Sequence, residues 1–371
     1  MNILIFSWRG PGHPNAGGAE ISTHEHAKGW VKAGHSVTLF TSAFPRCQRE
    51  ELVDGVNVIR HGRQLLGVQW EAFKWYLFGK HLKFDLVVDQ FHGIPFFTPI
   101  YVKAKKLGFI HEVTKEVWKL NPLIKPLNWI PAILGFYLEP LIFKIFYNNI
   151  PFMTVSSSTK KDLEEWGING RNIFIVHNGA SNKLLKSPEN KEKKNTITYL
   201  GAISKDKGIE DALKVFSMLN QKNNNFQFWV IGKSDQGYLS YLNKQAKILG
   251  IEDKIKFWGF VPEDRKNSFL ARSHLLINPS IREGWGLVVI ESARMGTPSV
   301  GYDVPGLRDS IIDGKTGILS KPNPEDCSNE IISLINDKKR YDYIKENCLK
   351  WGNQFSWEKS VNESLAVIDR I

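Results

Sequence analysis

Short apolar runs alternate with helical patterns along this chain, and that alternation restricts its fold more than any other feature of the sequence. Six runs in the first half are predicted to be strands: residues 2–6, 36–41, 56–60, 86–89, 107–111 and 153–156. A second series supplies five more: residues 196–200, 227–231, 255–258, 275–278 and 299–302. Strands that alternate with helices, such as the helical patterns at 209–219 and 239–249, are typical of βαβ units. The sequence therefore predicts an α/β protein with two parallel sheets.

The length of the chain agrees with two domains. A chain of 371 residues exceeds the size of one compact core. The polar segment 186–195 is the predicted linker, so we expect one Rossmann-like domain at 1–185 and a second at 186–354. Ligands of open parallel sheets bind beyond the carboxyl ends of the strands. We therefore expect two facing domains that present their loops to a shared cleft.

The formal charge of +11 indicates an anionic partner, which could be a diphosphate, a phospholipid surface or nucleic acid. The basic residues are spread through both halves without a cluster interleaved with stacking aromatics, which argues against nucleic acid. Cys47, Cys327 and Cys348 are widely spaced, which predicts neither a disulfide framework nor a zinc site and favours a reducing cytoplasm. Residues 1–6 are predicted as a buried strand and not as a signal peptide.

Residues 118–151 are unusual because apolar and aromatic side chains crowd a segment that prolines interrupt repeatedly. These interruptions argue against a transmembrane helix. Four lysines flank or punctuate the segment: Lys115, Lys119, Lys125 and Lys144. Two interpretations remain, and the favoured one is a set of core-facing helices in the first domain. The other is an interfacial segment that contacts an anionic membrane surface.

The segment 279–296 contains the strongest candidate site. It follows an apolar strand and leads through a glycine-containing turn into a helical pattern, so backbone N–H groups and the helix dipole are aimed at one point. A diphosphate could bind at Gly286, Leu287 and Val288. Glu291 lies about one 5.4 Å helical turn further on, within reach of ribose hydroxyls, and Glu283 on the other side would face a sugar. The alternative is a surface loop in which both glutamates are solvated.

The same segment resembles the family 4 retaining glycosyltransferases of GT-B fold. Glu283 and Glu291 match the E-x7-E signature of that family, within Pro-Ser-x-x-Glu-Gly-x-Gly-Leu, and residues 303–317 match its continuation with Asp309 where glutamate is usual. The resemblance implies two facing Rossmann-like domains, with residues 355–371 as a helix that crosses back to the first domain. It also implies a nucleotide-sugar donor and retention of anomeric configuration.

The resemblance extends to several supporting residues. Lys207 matches the lysine that neutralises the leaving diphosphate, whereas Ala202 stands where the family has an arginine. Four basic residues could replace that arginine: Arg9, Lys205, Lys233 and Arg282. With Glu283 and Lys207, His111 completes the implied catalytic set, because the family places a histidine there near the transferred sugar. A lone histidine at a strand end is equally well explained as structural.

Other residues are implied to bind the donor. Gly17 and Gly18 border the diphosphate in the family, although a Gly-Gly pair alone is better explained as a simple chain reversal. Val261 lies where the family's main chain meets the nucleobase, and Gly284 belongs to the motif around Glu283.

No metal or cofactor beyond the donor is expected. The sequence lacks an Asp-x-Asp motif, and His24 and His26 diverge on a predicted helix. The expected partners are a nucleotide sugar and a saccharide or polyprenyl-linked acceptor. Two alternatives remain open at this point: a GT-B-like nucleotide-sugar epimerase and a polyanion-binding protein.

Overall fold

A computed structural model describes residues 1–64, 66–91, 93–120, 129–181 and 189–371. The chain forms two compact units, of which the first comprises Met1–Gly179 and Trp357–Ile371 and the second Ala180–Ser356. Of the expected linker, residues 186–188 lie outside the described residues, and residues 189–195 belong to the second unit.

The first unit is built on an eight-stranded sheet with the order β3-β4-β2-β1-β5-β6-β7-β8. Its strands are β1 (Asn2–Ser7), β2 (Ser36–Thr41), β3 (Glu50–Val53), β4 (Val56–Arg60), β5 (Leu86–Phe91), β6 (Lys105–Ile110), β7 (Phe152–Thr154) and β8 (Ile173–Ile175). All neighbouring strands are parallel except β3 and β4, which form an antiparallel hairpin through Asp54 and Gly55. An Asp-Gly pair with positive φ at both residues is a favoured hairpin turn.

Helices cover the sheet of the first unit. They are α1 (Gly18–Lys32), α2 (Gly67–Phe78), α3 (Thr98–Tyr101), α4 (Trp129–Ile142) and α5 (Ser157–Glu165), with 3-10 turns at Lys115–Leu120 and Gly170–Asn172 and a π-helical turn at Phe143–Tyr147. The C-terminal helix of the chain packs against α1 through a buried polar contact. In that contact Trp30 Nε1 donates to Ser364 Oγ at 2.9 Å, and His26 Nδ1 lies 3.0 Å from the same oxygen. The C-terminal helix thus belongs to the first unit, as the resemblance implies.

The second unit contains a fully parallel six-stranded sheet with the order β11-β10-β9-β12-β13-β14. Its strands are β9 (Asn195–Leu200), β10 (Phe226–Ile231), β11 (Ile255–Gly259), β12 (Leu275–Asn278), β13 (Ser299–Tyr302) and β14 (Gly317–Ser320). Its helices are α6 (Ile209–Lys222), α7 (Gln236–Ile248), α8 (Glu263–Arg272), α9 (Leu287–Arg294), α10 (Leu307–Ser310), α11 (Pro324–Asn336) and α12 (Lys338–Gly352). The C-terminal helix described above, α13 (Trp357–Arg370), belongs to the first unit. The strand order reverses between β9 and β12, and open α/β sheets bind ligands beyond the carboxyl ends of the strands at such a point.

The favoured interpretation of residues 118–151 is only partly correct. Phe143 and Tyr147 are buried in a core cluster of the first unit, as expected for a core-facing segment. In contrast, most apolar side chains of α4 are exposed to solvent. The sequence pattern cannot show this orientation, because a helix that is apolar nearly all round does not indicate which side faces the core. Within the described residues, no helix combines the length and apolarity that crossing a bilayer requires.

Acid is expected to destabilise the first unit through His26. Burial lowers the pKa of His26 from 6.5 to about 3, so the folded protein holds this imidazole neutral while the unfolded chain protonates it below pH 6.5. Its contribution to stability is therefore complete above pH 6.5 and is lost as the pH falls towards 3. The loss is about 2 kcal/mol between pH 6.5 and pH 5.

Urea unfolding at pH 7 and pH 5 measures this effect. His26→Gln, which cannot titrate, should show a smaller difference between the two midpoints than the wild-type protein. An equal difference in both proteins would assign the acid sensitivity to other groups.

Candidate active site

Three loops of the second unit converge at the reversal of its strand order. The loop after β9 and the loop after β12 are joined by the amide of Ile281, which donates to the carbonyl of Asp206 at 3.0 Å. Gly208, with φ +72°, permits their close approach, because a Cβ there would lie 1.9 Å from the carbonyl oxygen of Pro279. Tyr199, on β9, is hydrogen-bonded to the loop that follows this strand. Burial raises the pKa of Tyr199, and its protonated phenol donates to the Ala202 carbonyl at 2.7 Å.

Lys207 and Glu283 meet where these loops converge. Lys207 Nζ lies 3.0 Å from Glu283 Oε2, and both side chains are largely but not fully buried. The Ser280 hydroxyl lies 2.8 Å from the other carboxylate oxygen, Oε1. Both oxygens of Glu283 therefore have partners on this chain, and the carboxylate is held in one orientation.

The third loop, which follows β13, fixes the backbone of Glu283. The amide of Glu283 donates to the carbonyl of Pro305 at 3.2 Å. Gly306 has φ +81°, and a Cβ there would lie 2.0 Å from the Glu283 carbonyl oxygen. A residue with a side chain at 306 would thus displace the backbone that positions Glu283.

The start of α9 presents backbone donors beside this pair. The helix begins at Leu287 with Gly286 as its N-cap, which offers no side-chain acceptor, and its first turn contains no acidic residue. The first N–H groups of a helix have no partner within the helix, so those at Leu287 and Val288 are suited to an anion. Gly284 is buried in the preceding turn.

Glu291 lies further along α9 and pairs with a lysine that sequence reasoning did not identify. Lys266 Nζ, on α8, lies 2.6 Å from Glu291 Oε1. A small pocket is lined by residues of α8 and α9 and by the first residues of the unit: Ala180, Ser181, Glu263, Lys266, Asn267, Glu291, Arg294 and Met295. No motif marks Lys266, because only the packing of α8 against α9 brings it to Glu291.

Because the sequence motif predicts that Glu291 binds the nucleotide donor, replacing Lys266 with methionine is expected to weaken donor binding. The ion pair orients the Glu291 carboxylate. Its removal should raise the donor KM by roughly tenfold, the size of effect expected when a hydrogen bond to a charged group is lost, with little change in kcat. Steady-state kinetics with varied donor measure both values. Lys244→Met, at an exposed position on α7, is the matched control. Unchanged KM in the Lys266 variant would show that the pair does not position Glu291.

The remaining predicted residue of the second unit is Val261, just beyond β11. Its side chain is buried in a cluster with Trp229, Ile231 and Phe269. Only its main chain is therefore suited to contact a ligand, and its role stays a prediction.

The predicted residues of the first unit have different surroundings. Gly17 is the N-cap of α1, and its amide donates to Glu20 Oε2 at 2.6 Å. Arg9 Nε lies 3.0 Å from the other oxygen of this buried carboxylate. At the start of α1, where Gly18 is the first residue, the carboxylate of Glu20 thus already binds a backbone amide. The first turn of α9 has no such acidic residue.

His111 follows β6 directly and is buried. Its ring centroid lies 4.4 Å from that of Phe109, and its carbonyl accepts a hydrogen bond from Thr159 Oγ1 at 2.9 Å. These contacts fix the position of the residue in the first unit. The catalytic role of His111 stays a prediction.

Among the candidates for the missing arginine, Lys233 is linked directly to the loop that contains Ala202. The amide of Ile203, the next residue, donates to the Lys233 carbonyl at 2.9 Å. Arg9 is bound to Glu20 and to the Asn15 carbonyl in the first unit. Arg282 is buried beside Glu283, and Lys205 is exposed.

The two Rossmann-like units agree with the GT-B fold that the resemblance implies. Two family models match the chain: Glycosyltransferase Family 4 at residues 16–182 and Glycosyl transferases group 1 at residues 181–351. The chain belongs to the family 4 type of glycosyltransferases, which confirms the family predicted from the sequence; the E-x7-E assignment and retention of configuration stay predictions.

Known proteins agree with this assignment. The uncharacterized glycosyltransferase MJ1178 of Methanocaldococcus jannaschii is 29% identical over 215 residues, which span 58% of each chain. A second uncharacterized glycosyltransferase of that organism, MJ1607, is 22% identical over an alignment that covers 99% of this chain and 97% of its own. The structure of Anabaena Alr3699/HepE in complex with UDP and glucose has a TM-score of 0.73 and 16% identity, with complete coverage of both chains. This last likeness confirms the predicted fold class.

Proposed function

We propose that this protein transfers a hexose from a nucleoside diphosphate sugar to a saccharide or lipid-linked acceptor, with retention of anomeric configuration. The observation that carries the proposal is the Lys207–Glu283 pair, held by three loops at the strand reversal of the second unit. Family membership supports transfer, and the structurally similar HepE protein was solved with UDP and glucose. The donor nucleotide is UDP or GDP.

Departure of the diphosphate requires stabilisation of the negative charge that develops on it. Lys207 and the backbone amides of the N-cap Gly286 and of Leu287 and Val288, the first residues of α9, are the groups of the second unit that we assign to this task. Lys233 would supply the further cation that Ala202 does not. This arrangement needs no metal ion, so we expect activity to persist in excess EDTA.

Glu283 is assigned to the transferred sugar. When a donor binds, Lys207 would move its ion pair from Glu283 to a phosphate oxygen. The carboxylate would then accept hydrogen bonds from sugar hydroxyls while the Ser280 hydroxyl maintains its orientation. Glu291, oriented by Lys266, would hold the ribose, and the main chain at Val261 would contact the nucleobase.

In this proposal the first unit binds the acceptor and supplies the remaining contacts to the donor. His111 would lie near the transferred sugar, and Gly17 and Gly18 would border the diphosphate. The amide of Gly17 is engaged by Glu20, so this contact requires Glu20 to release it. A role in glycan or cell-envelope polysaccharide synthesis, at the cytoplasmic side of a membrane, fits these assignments.

Incubation with a panel of UDP and GDP sugars, followed by detection of released nucleotide, tests the donor class. Proton NMR of the product then tests the mechanism, because the anomeric coupling constant should match that of the donor. An inverted product would contradict retention, and a free epimerised nucleotide sugar formed without acceptor would favour an epimerase.

A further inference from the structure

Helix α4 is oriented with its charged residue inward. Glu139, the only charged residue between 129 and 142, is buried. Its Oε1 accepts a hydrogen bond from the amide of Thr114 at 3.1 Å, and its Oε2 accepts one from Trp118 Nε1 at 2.9 Å. These two bonds fix the helix with its opposite side towards solvent.

The side of α4 that faces solvent is apolar. Together with the π-helical turn it exposes ten large side chains, which we call the apolar face: Trp129, Ile130, Ile133, Leu134, Phe136, Tyr137, Leu138, Leu141, Ile145 and Phe146. Ile133, Tyr137, Leu141 and Ile145 follow one another at intervals of four residues and form a single stripe. Tyr137 is 70% exposed and Ile145 is 57% exposed. Contiguous exposed apolar surface of this kind marks an interaction site in soluble proteins.

The apolar face continues onto neighbouring elements. The rings of Phe146 and Phe97 are in edge contact, with centroids 6.0 Å apart. Phe97 immediately precedes α3, on which Ile100 is 61% exposed. The surface is therefore broader than one helix, as a planar partner would require.

Two exposed lysines lie at the border of the apolar face. Lys119 Nζ lies 6.0 Å from the ring of Phe136, and Lys144 is exposed beside Ile145. Among the side chains described between residues 117 and 150, Glu139 is the one carboxylate, and it is buried. An apolar surface with a cationic border complements a layer of acyl chains beneath anionic headgroups.

We infer that the apolar face docks on an anionic phospholipid bilayer. Ile133, Leu141 and Ile145 enter the upper acyl region, and Lys119 and Lys144 bind lipid phosphates. A second copy of the chain fits this face less well, because a two-fold interface would bring the same cationic border against itself.

Vesicle sedimentation of the full chain tests this inference, with phosphatidylcholine vesicles compared with vesicles that also contain phosphatidylglycerol. The wild-type protein should bind the anionic vesicles, more weakly at high salt. The variant Ile133→Ser/Tyr137→Ser/Leu141→Ser should lose at least about 100-fold in partitioning, since three apolar contacts are removed. Its matched control, Leu52→Ser/Ile248→Ser/Leu349→Ser, removes three exposed apolar side chains elsewhere and should bind as the wild type does.

The variant Lys119→Glu/Lys144→Glu keeps the apolar side chains and tests the cationic border. It should lose roughly 30-fold or more on anionic vesicles at low salt. Because both lysines are on the surface, this variant still decides the question if the serine variant does not fold. Failure of the wild type to bind anionic vesicles overturns the inference. The inference is also overturned if the wild type forms a dimer without lipid and the serine variant is monomeric. No donor is needed, so the result is independent of the proposed transfer reaction.

Discussion

Glu283→Gln is expected to reduce kcat by about 100-fold to 1000-fold while the protein remains folded. Glutamine keeps the shape of the side chain and its contact with Ser280, but it removes the negative charge that faces both Lys207 and the developing positive charge of the sugar. Loss of one preorganised electrostatic contact in a transition state costs effects of this size. Steady-state kinetics at saturating donor measure kcat, and calorimetry with the nucleoside diphosphate measures binding.

The control for this variant is Ser280→Ala. Ser280 carries no charge, and its hydroxyl lies 2.8 Å from the carboxylate and 2.6 Å from Asn278 Oδ1, so its removal should lower kcat by roughly tenfold or less. A Glu283→Gln enzyme with wild-type turnover would remove Glu283 from the reaction. Equal losses in the two variants would indicate that the orientation of the side chain matters more than its charge.

Lys207→Met is expected to lower kcat/KM by about 100-fold to 1000-fold, because the methionine cannot neutralise the departing diphosphate. Most of the loss should appear in kcat, since the negative charge on the leaving group increases in the transition state. Lys207→Arg retains the positive charge and should recover part of the activity. Lys214→Met, on an exposed turn of α6, is the control and should behave as the wild type.

A different result would redirect the proposal. If Lys207→Met changed only the donor KM, Lys207 would bind the donor without favouring the transition state. If it changed neither kcat nor the donor KM, another residue would have to stabilise the leaving group. Lys233 would then be the first residue to mutate.

Much of the fold follows from the sequence because buried parallel strands are apolar and short. The predicted strands at 36–41, 56–60, 275–278 and 299–302 have the bounds found in the structure. The strands β3, β8 and β14 were not predicted. Strand β3 lies at a sheet edge and carries charged, partly exposed residues, so it lacks an apolar pattern, and β8 has only three residues.

The candidate site was predicted to a similar extent. The motif around Glu283 and the match at Lys207 identified two residues that the structure brings within 3.0 Å. Lys266 and Ser280 act on these acids through contacts that depend on how the loops and helices pack, and single-sequence patterns do not contain that information. The orientation of α4 was missed for the same reason, since it is set by the two hydrogen bonds to Glu139.

A crystal structure with a bound nucleoside diphosphate tests the central claim most directly. We predict that the diphosphate lies at the strand reversal of the second unit, with an oxygen within hydrogen-bonding distance of Lys207 Nζ and of an amide at the start of α9. We also predict that a ribose hydroxyl contacts Glu291. Density for the nucleotide at any other place on the chain would contradict the account.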